Sequence, residues 1–153
     1  MVYANDKFGY RVRVPGGWQQ MSGDPKSDGV LFYDTRGSQG SFQVHTNWMQ
    51  DNFPVQSSLQ TIAKENEQRL KHGELEKYYR KDFTVKDAKG KDVAIFQGYV
   101  TVESTEKPDI RRMQWIGYGK GNYYNFTWAS KPEQFDTYRP AFEQILGSVQ
   151  FTQ

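Results

Sequence analysis

The chain has no cysteine, only two histidines and nothing approaching a long hydrophobic run. Without cysteine there is no disulfide, no thiol nucleophile and no cysteine-ligated metal, although the absence selects no compartment. No stretch comes near the roughly 18 apolar residues of a membrane span, and Met1-Val2-Tyr3-Ala4-Asn5-Asp6 lacks the basic-then-apolar layout of a signal peptide. The mature form of an exported protein would look the same. Charge of one sign is also lacking. Twenty Lys and Arg against 18 Asp and Glu leave +2, so bulk charge gives nucleic-acid binding little support. There is no Gly-x-Ser-x-Gly elbow and no His-Glu-x-x-His pair. Gly117-Tyr118-Gly119-Lys120-Gly121 lacks the Gly-Lys-Ser/Thr ending of a phosphate loop, and no motif calls for a cofactor.

What the chain has is aromatic bulk: ten phenylalanines, ten tyrosines and four tryptophans in 153 residues. Each buried ring removes about 150–250 Å² from water, so half of them would furnish a firm core. With no Pro/Gly/Ser-rich linker or long charge block, residues 1–153 read as one domain.

Period-two alternation marks the strands. Phe8, Tyr10, Val12 and Val14 alternate with Gly9, Arg11 and Arg13, and Pro15-Gly16-Gly17 stops the run before Trp18, which caps one end of the core. Val30–Tyr33 reads as a second strand. After the turn-prone stretch Arg36–Gly40, a third runs from Ser41 to about Trp48, with Phe42, Val44 and Thr46 on one face and Gln43, His45 and Asn47 on the other. Leu59, Ile62, Ala63 and Leu70 recur at helical spacing, which predicts a helix over about 57–71 with Ser57 or Ser58 as N-cap and Gly73 as terminator. Strands at about 74–86 and 92–103 flank a hairpin loop at 87–91, and strands at about 110–118 and 122–129 flank Gly119-Lys120-Gly121. Phe135, Tyr138, Phe142, Ile145 and Leu146 return to helical period before Gly147. Thr137 as N-cap would put Pro140 in the first turn, leaving 132–136 as a separate turn, and Ser148–Phe151 closes as a short strand. The expected fold is α+β, a largely antiparallel sheet flanked by helices in an α/β/α sandwich.

Two segments carry a family resemblance. Phe8-Gly9-Tyr10-Arg11-Val12-Arg13-Val14-Pro15-Gly16-Gly17-Trp18, followed by Gly29–Asp34 and by Phe42 with Val44, resembles the opening strands of the PsbP-like fold. Tyr123–Ser130, then Phe135, Tyr138, Pro140, Phe142, Ile145, Leu146 and Ser148–Phe151, is similar to its last long strand, final helix and terminal short strand. This fold also includes the DcrB-like bacterial lipoproteins and a nuclear Ran-binding import factor. The resemblance implies a non-enzymatic, extracytoplasmic accessory domain that binds a protein partner, a membrane-associated complex or a small ligand beside the sheet. The chain has no lipobox cysteine. The Ran-binding branch implies instead a cytosolic interaction module presenting Arg and Trp.

Candidate chemistry is sparse. His45 lies beside Gln43 and Asn47, and Asp34 would approach it if the second and third strands pair, so His45 with Asp34 is the candidate metal or proton-transfer pair. His72 and Glu76 are four apart, but Gly73 interrupts the helix that would align them. Asp82, Asp87 and Asp92 ring the predicted hairpin, where turn chemistry or a weakly held hard cation would use them. Arg111 with Trp115 and Tyr123, joined by Arg112, Arg11, Arg13 and Lys120, would form a basic-aromatic binding surface if Trp115 faced outward. Asn125-Phe126-Thr127 matches a glycosylation sequon, but lies within a predicted strand.

Overall fold

The computed structural model describes residues 1–152 apart from 24, 25, 27, 37–39 and 106–108. Most of the expected turn at 36–40 therefore lies outside the described residues. The strands are β1 (Val2–Asn5), β2 (Tyr10–Arg13), β3 (Trp18–Ser22), β4 (Gly29–Asp34), β5 (Ser41–Trp48), β6 (Leu75–Arg80), β7 (Phe83–Lys86), β8 (Asp92–Glu103), β9 (Arg111–Gly119), β10 (Asn122–Ser130) and β11 (Gln150–Phe151). The helices are α1 (Val55–Lys71) and α2 (Phe135–Gly147), the latter preceded by a single 3-10 turn at Pro132–Gln134. Every paired strand is antiparallel, as the expected hairpins require.

The large sheet runs β3-β4-β5-β10-β9-β8-β6, with β7 also on β8, and a small sheet runs β1-β2-β11. The fold class is α+β. Between the large sheet and the layer formed by the small sheet and α2 lies the aromatic core: Phe42, Phe96, Trp115, Tyr124, Phe126, Trp128, Phe135 and Phe142 are all fully buried, joined from the small sheet by Tyr10 and Phe151. Phe151 stacks on Phe96 with centroids 3.9 Å apart, which draws the two-residue β11 into the centre. Trp115 lies flat over its own sheet. A Cβ on Gly98 or Gly117, which face each other across β8 and β9, would overlap its indole. These glycines serve a close approach rather than a turn.

Local chemistry explains where the elements depart from the expected boundaries. The run at 74–86 bends at Lys81-Asp82, so β6 and β7 pair with successive parts of β8; the Asp82 carboxylate accepts the Gly98 N–H at 3.3 Å inside the bend. α1 starts two residues earlier than expected. Its N-cap is Pro54, and Ser57 donates its hydroxyl back to the Pro54 carbonyl rather than capping. Gly73, at φ +74°, ends it as expected. α2 begins at Phe135, so Pro140 lies inside the helix rather than in a first turn capped by Thr137, and the Asp136 carbonyl loses its helical donor. Lys120 and Gly121, both with positive φ, make the tight two-residue turn between β9 and β10.

Candidate functional site

The two faces of the large sheet have different fates. One is the aromatic core. Among the described residues the other is covered by α1, which packs Leu59, Ile62, Ala63 and Asn66 over β6 and β8 and reaches Gln114 and Ile116 of β9, while Leu70, expected in the apolar stripe, is 40% exposed. Under α1 a cavity of about 100 Å³ is lined by Ile62, Asn66, Arg69, Tyr99, Thr101, Gln114 and Ile116. That is too small for an organic ligand.

Among the described residues no helix covers this second face beyond β9. Cross-strand register places Leu31, Gln43, Thr127 and Gln114 in one row; Gly29, His45, Asn125 and Ile116 in the next; and Asn47, Tyr123 and Tyr118 in the third. Tyr33, Ser41 and Ala129 form a fourth row toward the Arg112 end. The side chains are tied together laterally. Gln114 donates to the Thr127 hydroxyl at 3.1 Å, Thr127 donates to Asn125 Oδ1 at 2.8 Å, and Asn47 Nδ2 lies 3.1 Å from His45 Nε2. Burial holds the Tyr123 hydroxyl above the usual tyrosine range, against a weaker opposing hydrogen bond from Asn125. From Leu31 to Tyr33, Ser41 to Asn47 and Tyr123 to Ala129, the outward positions carry no Lys, Arg, Asp or Glu. A quarter of the chain is charged, so ten such positions would ordinarily hold two or three.

The expected metal pair is not assembled. The second and third expected strands do pair, as β4 and β5, but His45 stands opposite Gly29, five residues from Asp34, or about 17 Å along the strand. They also lie on opposite faces. His45 is exposed on the open face, whereas Asp34 alternates with it toward the core side and accepts hydrogen bonds from the Tyr138 hydroxyl at 3.2 Å and the Arg36 backbone at 3.0 Å. A shared ligand needs donors about 2 Å from one ion, so this pair holds no metal.

The expected basic-aromatic surface does not form either. Arg111 is 2% exposed and Trp115 fully buried, both on the core face of β9, while Tyr123 projects half-exposed from the opposite face. Arg111 alternates in phase with Met113, Trp115 and Gly117, so its strand parity carries it inward. There its guanidinium lies 4.2 Å from the Phe135 ring centroid, donates to the Glu103 carbonyl at 2.7 Å and faces Asp136 at 3.4 Å and Glu76 at 3.7 Å. Arg139 pairs with Glu76 as well. Its hydrogen bond holds the Glu76 carboxyl below the usual range, and Glu76 works in this network, away from His72. This cluster locks β6, β9 and α2 together. Asp82, Asp87 and Asp92 are engaged in turn chemistry, with Arg80, with the Lys89 and Lys91 backbone N–H groups, and with Lys86, respectively. Among the described residues, no group of three metal-ligating side chains comes together.

The open face was missed as a unit, although its signal is present: neutral polar residues alternate with apolar ones in both Ser41–Trp48 and Asn122–Ser130.

No curated protein matches the sequence significantly. Among solved structures the chain is similar to cyanobacterial PsbP (CyanoP) from Synechocystis sp. PCC 6803, at 13% identity and TM-score 0.59, covering 99% of this chain and 92% of that one. It is also similar to a protein from Bacteroides thetaiotaomicron VPI-5482, at 10% identity and TM-score 0.53; here 99% of this chain spans about half, 48%, of the other. The Saccharomyces cerevisiae Ran-binding protein Mog1p follows at 8% identity and TM-score 0.49, covering 99% and 94%. At these identities the first two likenesses show the fold and no more. The PsbP family model matches residues 1–151, and the chain belongs to the PsbP family.

Proposed function

We propose that this protein is a non-catalytic accessory domain that binds a protein partner through the uncovered face of its large sheet. The observation that carries this reading is the charge-free surface spanned by Gln43, His45, Asn47, Tyr123, Asn125, Thr127 and Tyr33. Interface centres are depleted in charged side chains and enriched in aromatics, because a partner must strip water from whatever it covers. The adjacent edge supports the same reading. Among the described residues β3 pairs only with β4, and its sequence Trp-Gln-Gln-Met-Ser has neither the charge nor the proline that usually guards a sheet edge.

The face is flat and modest. Three strands at about 4.8 Å and seven residues at about 3.4 Å span about 350 Å², below the roughly 800 Å² per partner of a standard interface. The partner therefore extends over the β3 edge or binds transiently. His45, hydrogen-bonded to Asn47 and remote from Asp34, contributes polarity to the face rather than acid–base chemistry.

Co-purification from the native host tests this. A tagged wild-type chain should retain a defined partner that Asn125→Arg and Gln43→Arg both lose while keeping the wild-type melting temperature. Retention of the partner by both folded variants would refute the reading. The extracytoplasmic placement belongs to the same proposal: a signal or transit sequence upstream of Met1 in the native precursor supports it, and a cytosolic native protein overturns it.

A further inference from the structure

A second surface lies on the other side of the molecule. β2 is the middle strand of the small sheet, and while Tyr10 and Val12 enter the core, Arg11 and Arg13 point outward. Register places Val2 beside Arg13, and Ala4 and Gln150 on either side of Arg11. The segment Val14–Gly16 and the C-terminal end of α2 wall this face into a cleft of about 800 Å³, lined by Arg11, Arg13, Gln144, Ser148 and Gln150 among others. Its size falls within the range of small-molecule sites.

The charge in the cleft is one-sided. Among the described residues no Asp or Glu lines it, and neither Arg11 nor Arg13 has a carboxylate partner. By contrast Arg36, Arg80, Arg111, Arg112 and Arg139 each pair with one. The nearby C-terminal end of α2 opposes an anion with about half a negative charge. Its carbonyls are already engaged, however: the Ser148 N–H bonds the Gln144 and Ile145 carbonyls, and the Ser148 hydroxyl donates to Ile145 at 2.7 Å. Two full positive charges outweigh what remains. Arginines two apart on one strand face stand about 7 Å from each other, and each presents a planar fork that fits a phosphate or carboxylate group.

We propose that this cleft binds a polyanionic small molecule, with Arg11 and Arg13 each gripping one anionic group and the Gln144 and Gln150 amides available to the remaining oxygens. Calorimetric titration with tripolyphosphate, citrate and inorganic phosphate at low salt tests it. One molecule of tripolyphosphate or citrate should bind saturably and more tightly than monophosphate, and the stronger of the two identifies phosphate or carboxylate as the natural group. Arg11→Gln and Arg13→Gln should each weaken binding about 10–100-fold, and Arg13→Lys, which keeps the charge but loses the fork, by less. Arg112→Gln, on the opposite face of the large sheet, should change nothing. Absent saturation, monophosphate binding as tightly as either polyanion, or equal losses in Arg112→Gln would overturn the proposal. Because both arginines are exposed, the variants should melt with wild type, which separates lost binding from lost fold.

Discussion

Trp115 and Trp128 are both fully buried, yet their N–H groups differ: Trp115 Nε1 donates to the Lys81 carbonyl at 2.8 Å, whereas Trp128 Nε1 has no partner among the described residues. Replacing Trp115 by Phe therefore removes volume and also orphans a carbonyl at the bend between β6 and β7. Replacing Trp128 removes similar volume and relieves an unpaired donor. Trp115→Phe should cost about 1–2 kcal/mol more than Trp128→Phe, measured by chemical denaturation of both variants. Equal losses would mean that the indole hydrogen bond contributes nothing to stability. Residue identity was legible here in part. Alternation put Trp115 on a face with Met113 and Gly117, but the same phase carried Arg111 inward, and a buried arginine is intelligible only once Phe135, Glu76 and Asp136 are seen to meet it from other elements.

Elements with a strong local pattern are those that the sequence reveals: β5, β8, β10 and most of α1 and α2 lie within a residue or two of where periodicity places them. Elements held by distant partners are not. β1 has little apolar alternation and exists through its pairing with β2, and β3 is an edge strand with four of its five residues exposed. The start of α2 was hidden because its N-cap, Gln134, makes no side-chain capping bond while Thr137 resembles a cap. Pro140 inside this helix leaves the Asp136 carbonyl without its helical donor on an exposed surface. Pro140→Ala should thus raise stability by about 1 kcal/mol, the regained hydrogen bond outweighing the greater freedom of the unfolded chain. A lower melting temperature for this variant would show that the proline fits a bend required by packing on β9 and β10. The open face belongs to this scale as well. Its neutral alternation is written in β5 and β10, but which part of the sheet α1 would leave bare depends on its docking on β6 and β8.

Across the whole molecule, the tyrosines set an alkaline limit. Burial raises the hydroxyl pKa of Tyr10, Tyr79, Tyr118, Tyr123, Tyr124 and Tyr138 above the ordinary value. Their neutral folded forms stabilise the protein fully below the unfolded pKa of about 10, and that contribution drains away as pH rises through the folded values, because the unfolded chain releases protons that the folded one keeps. The melting temperature should fall steeply above about pH 10, with tyrosinate absorbance appearing in two stages, exposed rings first and the remainder with unfolding. A single early stage in the folded protein would contradict the burial. The proposed recognition surface lies outside the layered core, on the bare sheet face. Site-specific photo-crosslinking in the native host tests that assignment most directly, with the crosslinker placed in turn at Gln43, His45 and Asn125 and, as controls, at Lys64 and Gln60 on the outward side of α1. One discrete partner crosslinked from the three sheet positions and not from the helix is the expected result, and crosslinks arising equally from the helix, or only from it, would contradict it.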